Sequence, residues 1–373
     1  MMATLRMPAF RAISFNMNGS PFRLSVLDQA PIPQGSTGGD ALRNSLDLAK
    51  LADRLGFYRY WVAEHHATPM LACASPEVLI GPIAEVTEGM RVGSGGVMLP
   101  HYSPLKVAES FSMLSGMNPG RIDLGIGRAP GSDQRTAYAL QRDRRALAPD
   151  DFPQQLAELL GYFEGTLPAD HPFAVLATML PGGAEVPEFW LLGSSPQSAI
   201  WAADQGLPYM FADFINPGGV SIMAHYRSRF VPSARCAKPR SAIAVSVICA
   251  ASDDEAWRLS ASWRMASLAM RSGSPIAVPP VEAALAFLKE HAGSEDAAPP
   301  GRRLVFGSPK KVREGIEAVA IEYGASEVMI VTIVHEHRAR RGSYELIAET
   351  FDLVDAMAAS RGSLAIERNG WNS

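Results

Sequence analysis

Cysteine is scarce in this chain: Cys73, Cys236 and Cys249 are the only three in 373 residues, widely spaced and without a CxxC pair. A disulfide framework or a zinc knuckle needs more, so the thiols read as inert and the compartment as reducing, with the cytoplasm expected. Apolar runs of spanning length are also lacking, which argues against an integral membrane protein. Neither sign of charge dominates, and a formal net charge of −4 offers nucleic acid no general attraction. The serine-hydrolase elbow G-x-S-x-G does not occur. Gly125-Ile126-Gly127-Arg128-Ala129-Pro130 supplies the first two glycines of a dinucleotide fingerprint but places Pro130 where the third belongs. A Rossmann pyrophosphate loop is therefore disfavoured. The opening, residues 1–21, carries Arg6 and Arg11 but no acid. It reads as an extension ahead of the fold, with a transit peptide as the other reading.

What the chain does contain is a regular alternation. Short β-rich runs centre near Leu24, Trp61, Val97, Leu124, Trp190, Met210, Val247 and Val331, and segments of helical spacing separate them. Residues 40–55 are one such segment, with Asp40 as the expected N-cap and Gly56 as the stop, and residues 344–359 are the expected closing helix. Eight strands alternating with helices predict an α/β fold, a single-domain TIM-type (β/α)8 barrel over residues 22–360 with a tail at 361–373. The Pro-, Gly- and Ala-rich stretch 166–186 and the Pro-rich stretch 272–303 read as insertions within it.

The most informative stretch is 91–133. It reads as strand, helix, strand and a polar loop, a βαβ unit with a right-handed crossover. Gly95-Gly96 interrupts its first strand, while Gly125 and Gly127 lie in its second. Glycine weakens a strand, so it marks either close packing inside a barrel or the approach of a flat ligand. Arg128 follows at the strand's C-terminal end, where barrels place their ligands.

Nearly all other candidate chemical residues also follow strands. Glu64, His65 and His66 come after the second, His101 and Tyr102 after the third, Ser194, Ser195 and Ser198 after the fifth, and Asp213 to Asn216 after the sixth. His335, Glu336 and His337 come after the eighth. Adjacent residues on extended backbone diverge, so His65 and His66 make a poor chelating pair, and no metal site is expected. Ser195 before Pro196 caps a helix whose free N–H groups suit a phosphate, with Arg128 as charged partner. A barrel mouth with a phosphate clamp, a small-residue floor and an imidazole fits a flat phosphorylated cofactor. Flavin and pyridoxal phosphate both meet that description. Lys50, Lys106 and Lys289 fall on helices rather than strand ends, which favours flavin.

Four segments carry a family resemblance: AEHHATP at 63–69, RVGSGGVMLPHYSPLKVAE at 91–109, GRIDLGIGR at 120–128 and LLGSSPQSAIWAADQGLP at 191–208. In order and spacing they resemble the bacterial luciferase-like flavin monooxygenases. The resemblance implies an FMN-dependent monooxygenase that uses reduced FMN and O2, through a flavin C4a-hydroperoxide, to oxygenate a small organic substrate. A separate NAD(P)H:flavin reductase would supply the reduced cofactor, and a homodimer is the implied assembly. It also implies that Arg128 holds the FMN phosphate with Ser194, Ser195, Ser198 and the backbone of Ala129 and Pro130. Gly95-Gly96 matches a non-prolyl cis peptide beneath the ring system, and His65 the active-site histidine, its unperturbed pKa suited to proton transfer. The luciferase-type reactive cysteine is replaced by Gly127. Glu64, His66, His101, Tyr102 and Phe214, with Trp257, are the expected substrate-pocket residues. The deazaflavin F420 branch, with hydride transfer in place of oxygen insertion, is the first alternative, and a non-catalytic flavin-binding homologue the second.

Overall fold

The computed structural model describes residues 22–128, 133–145, 151–291 and 303–353. Ala129 and Pro130, the expected extension and tail, and residues 292–302 of the second insertion lie outside them.

Nine strands form one parallel sheet. They are β1 (Arg23–Asp28), β2 (Arg59–Val62), β3 (Arg91–Met98), β4 (Ile122–Gly127), β5 (Glu188–Gly193), β6 (Tyr209–Ala212), β7 (Ser241–Cys249), β8 (Leu304–Gly307) and β9 (Glu327–Val331). Strands β1 to β7 follow in order, β9 pairs with both β7 and β1, and the barrel closes with eight members. The expected TIM-type barrel is therefore present. The ninth strand, β8, was not expected. It pairs only with the far end of β7, Ser246 facing Leu304 through Cys249 facing Gly307, after β7 has spent its first half on β6 and β9. Four residues, LVFG, are too few to show a period.

Helices α1 (Gly38–Leu55), α2 (Pro76–Glu85) and α3 (Pro104–Met117) follow the first three strands. Helices α4 (Gln134–Leu140) and α5 (Phe152–Glu164) follow β4, α6 (Pro196–Asp204) follows β5, and α7 (Val220–Arg229) follows β6. Helices α8 (Asp253–Arg271) and α9 (Val281–His291) come after β7, α10 (Pro309–Tyr323) joins β8 to β9, and α11 (His337–Thr350) comes last. Within 166–186 the only regular piece is a 3-10 turn, Ala174–Met179.

Two helix starts differ from expectation. Thr37, not Asp40, caps α1. The Thr37 hydroxyl accepts from the Asp40 N–H at 3.1 Å while the Asp40 carboxylate accepts from the Thr37 N–H at 3.0 Å. This capping box draws Gly38 and Gly39 into the first turn despite their low helix propensity. Helix α11 begins at His337 rather than 344, because its polar first half (HRARRG) hides the apolar period.

Outward-facing strand residues such as Val26, Tyr60, Val92 and Leu124 pack under the helices. The barrel interior is a second cluster, in which Trp61 and Trp190 meet edge to face at 5.4 Å opposite the small Ala242 and Ala244. At the N-terminal ends of the strands the interior turns charged. Arg59 is fully buried and bonds Glu327 and Asp123, each at 2.7 Å. Trp61 Nε1 donates to the same Asp123 at 2.8 Å, and Arg91 binds its other oxygen. This network plugs the barrel floor, so any ligand must enter from the other end. Among the described residues no helix is long and apolar enough to cross a membrane.

Candidate active site

At the C-terminal ends of the strands a cavity of about 700 Å³ opens, within the range of small-molecule sites (roughly 300–1,000 Å³). His65, Gly95, Gly96, Arg128, Ser194, Ser195, Ser198, His101 and Phe214 all line it, so the structure brings together most of the residues singled out in the sequence.

Its floor is β3 beside β4. The Gly95–Gly96 peptide is cis, and the ladder to β4 shifts register between Gly95 and Val97. A methyl on Gly95 would lie 2.4 Å from Leu27 Cδ1, and one on Gly96 2.8 Å from the Gly125 carbonyl oxygen. On Gly125 it would lie 2.2 Å from the Ser94 carbonyl oxygen. Only glycine allows these backbones so close, and the result is a surface with no side chains standing on it.

One end of the cavity suits an anion. Ser195 caps α6, its hydroxyl accepting from the Ser198 N–H. Asn216 Nδ2 holds the Ser194 carbonyl at 2.9 Å. The Ser198 hydroxyl meets the Ser195 carbonyl at 2.8 Å and the Tyr209 hydroxyl at 2.9 Å. It fixes the loop at the start of α6, where Ser194, Ser195 and Ser198 line the cavity. The exposed Arg128 guanidinium reaches over Trp201 of α6, 5.4 Å from the ring centre. Cation and helix start therefore converge on one place.

On the opposite wall His65 is anchored by its N–H, which donates to the Cys73 carbonyl at 2.8 Å. Its Nδ1 is buried without a hydrogen-bond partner. Burial pushes the imidazole pKa down to about 4, against a weaker opposing bond to the Ala63 backbone. This corrects the expected unperturbed histidine: the ring is neutral at pH 7, and offers one N–H and one lone pair rather than a titrating proton.

Glu64, His66 and Tyr102 do not line the cavity but stand behind its wall. Glu64 is fully buried, accepts the Met98 N–H at 2.9 Å and meets His66 Nε2 at 2.6 Å. Tyr102 faces Glu64, and burial followed by that carboxylate raises its pKa. Trp257 lies away from the site, under the Arg264 guanidinium at 3.7 Å and against Phe306. His335 bonds Glu336 and the Gln34 carbonyl, and His337 bonds Asp47. Asp213 is held by Tyr323. None of these reaches the cavity. Sequence reasoning missed Gln29, Met98, Trp201, Leu192 and Met210, which also line the cavity. Gln29, Met98, Leu192 and Met210 lie in or just beyond strands and Trp201 in α6, and the apolar ones among them read as core.

A parallel barrel closed by buried ion pairs at one end and carrying a glycine-lined cavity at the C-terminal ends of its strands has the architecture of a barrel enzyme. The family model for luciferase-like monooxygenases matches residues 22–327, and the chain belongs to that family. It is 42% identical over 334 residues to the luciferase-like monooxygenase of Escherichia coli K12, covering 88% of this chain and 97% of the relative. It is 34% identical over 330 residues to the N-acetyl-S-alkylcysteine monooxygenase of Bacillus subtilis, covering 88% and 97%. Among solved structures, apo-MsnO8 superposes with a TM-score of 0.79 at 42% identity, covering 89% of this chain and 98% of that one. The oxygenating constituent of 3,6-diketocamphane monooxygenase from Pseudomonas putida, a type II Baeyer-Villiger monooxygenase in complex with FMN, shares the fold. Its TM-score is 0.67 at 20% identity, over 88% and 96% of the two chains.

Proposed function

We propose that this protein is an FMN-dependent monooxygenase that takes reduced FMN from a separate reductase and inserts one atom of O2 into a small organic substrate. One observation carries the reading: a floor of Gly95, Gly96 and Gly127 and an anion end built from Arg128 and the start of α6 belong to the same cavity. A tricyclic ring needs a surface free of side chains, and a ribityl phosphate needs N–H groups and a cation at the far end. The cavity offers both. Reduced FMN, when bound, supplies the electrons and the activation of oxygen.

The chain's own residues do the rest. Arg128 and the α6 backbone bind the phosphate and so fix the ring's position. Leu27, Leu192, Met210 and Phe214 exclude water from the reacting face. His65, neutral and held by the Cys73 carbonyl, presents a ring nitrogen that donates or accepts one hydrogen bond at that face. The same apolar residues favour a partly apolar substrate. Thioethers are the first class to try, since a relative 34% identical is named for an S-alkylcysteine derivative. The proposal includes a cytoplasmic homodimer.

The test supplies reduced FMN through a flavin reductase and follows O2 uptake with a thioether panel, with product mass read under isotope-labelled O2. Incorporation of one labelled atom per substrate is expected. Anaerobic turnover with F420 would replace the reading with hydride transfer. Stable FMN binding without turnover across the panel would leave a flavin-holding protein.

A further inference from the structure

Behind the cavity wall lies a second constellation that the proposed chemistry does not use. Glu64 and His66 alternate along extended backbone after β2, so their side chains leave on one side while His65 turns to the cavity. Glu64 Oε1 stands 2.6 Å from His66 Nε2, and its Oε2 is held by the Met98 N–H at 2.9 Å. The short 3-10 turn Leu99–His101 after β3 brings a second imidazole, whose ring meets that of His66 edge to face at 5.6 Å and 90°. One ligand atom from each of Glu64, His66 and His101 lies within 4.8 Å of the other two.

We propose that Glu64, His66 and His101 bind a divalent transition-metal ion of the zinc class at the wall of the cavity. Two imidazoles and one carboxylate are the donor set of three-ligand zinc sites and of facial triads, which keep a coordination position open. Tetrahedral zinc with bonds of ~2.0–2.1 Å sets its ligand atoms roughly 3.3 Å apart, so the 2.6 Å Glu64–His66 contact has to open and the three ligand atoms, within 4.8 Å of one another, have to adjust around the ion. The Met98 N–H acts as an outer partner, fixing one carboxylate oxygen and leaving the other to the ion. Glu77 provides an independent pointer. It interacts electrostatically with both Glu64 and His66, and its Oε2 is buried without a hydrogen-bond partner. A metal-bound water beside it would supply the missing donor. Since His101 also lines the cavity, the open position is on the side from which a small ligand arrives. The competing account is a plain Glu64–His66 hydrogen bond that serves only to hold Met98.

The two accounts separate without any flavin. The full chain, stripped with a chelator, is titrated with Zn2+ by calorimetry and with Co2+ by its visible absorption bands. One equivalent of Zn2+ per chain is expected, weakened at least tenfold in His66→Ala and in His101→Ala and unchanged in His337→Ala, whose ring pairs with Asp47 elsewhere. Circular dichroism confirms that each variant is folded. His101→Ala, on a short turn rather than in the core, remains informative if His66→Ala fails that check. Absence of stoichiometric binding to the parent chain, or binding undiminished in the folded variants, overturns the proposal.

Discussion

Arg59, the first residue of β2, and Gly96, near the end of β3, stand at opposite ends of one barrel and solve opposite problems. At the N-terminal end, three carboxylates from β4, β5 and β9 surround one fully buried guanidinium. Burial disfavours that charge, but Asp123, Glu327 and Glu188 together outweigh it and raise the Arg59 pKa. At the C-terminal end, glycines remove side chains, His65 keeps a buried nitrogen without a partner and the start of α6 lines the cavity. One end pairs its buried charges with one another, although Arg59 Nη2 meets Glu188 only as an ion pair at 3.6 Å and without a hydrogen bond. The other leaves a polar group facing a cavity for something else to satisfy, and such a surface is what a binding site requires.

The comparison is broken most forcefully at the floor. Arg59→Ala takes the cation from the buried Glu327 and leaves Asp123 to Arg91 alone, and loss of one partner of a buried pair costs about 3–5 kcal/mol. Urea denaturation should show a loss of that size, while FMN affinity of the folded fraction stays at the parent value. A fall in affinity without a fall in stability would show that the ends are not independent.

Next in size is a pH effect at His65. Its folded pKa of about 4 lies below an unfolded value of 6.5, so the unfolded chain takes up the proton first. The contribution of the neutral ring is therefore intact above pH 6.5 and is lost as pH falls toward 4, by at most about 3 kcal/mol. Carboxylates titrate in part of the same window, so the measurement is the difference between the parent and His65→Gln in denaturation series from pH 7 to 4. The parent should be the steeper of the two. Parallel curves would mean that the imidazole is hydrated, and not walled off by the loop at Cys73.

Arg128→Ala sharpens the comparison from the mouth. A hydrogen bond to a charged group contributes about 1.5–3 kcal/mol, so an FMN titration should show affinity weakened roughly 10- to 100-fold. Because Arg128 is exposed, stability should move by no more than about 0.5 kcal/mol. Equal affinity in parent and variant removes the phosphate clamp.

Much of this end was legible in the sequence because its signals are local. Glycines in strands, Arg128 after β4 and Ser-Pro before α6 each announce a backbone demand without reference to the rest of the chain. What was not legible depends on assembly. The neutrality of His65 comes from burial by the loop that ends at Cys73, some eight residues away in sequence. The pairing of Glu64 with His66 rather than His65 follows from strand alternation, but the approach of His101 depends on how β3 lies beside β2. Trp201 and Met98 read as ordinary apolar residues until the barrel closes. β8 exists only because β7 runs past its neighbours, a property of sheet geometry rather than of LVFG itself.

The smallest expected effect divides the anion end into its parts. Ser195→Ala removes the α6 cap, but the bond it breaks is long, 3.4 Å from hydroxyl to Ser198 N–H, so about 0.5 kcal/mol of stability should go, the low end for a cap. Ser198 stays in place through Tyr209 and the Ser195 carbonyl, and the first turn of α6 with its backbone N–H groups keeps its place at the cavity. Affinity for FMN should therefore fall less than in Arg128→Ala. If the two losses are equal, the hydroxyl and not the helix backbone is the phosphate's neutral partner, and the division between a built floor and an open mouth has to be redrawn at Ser195.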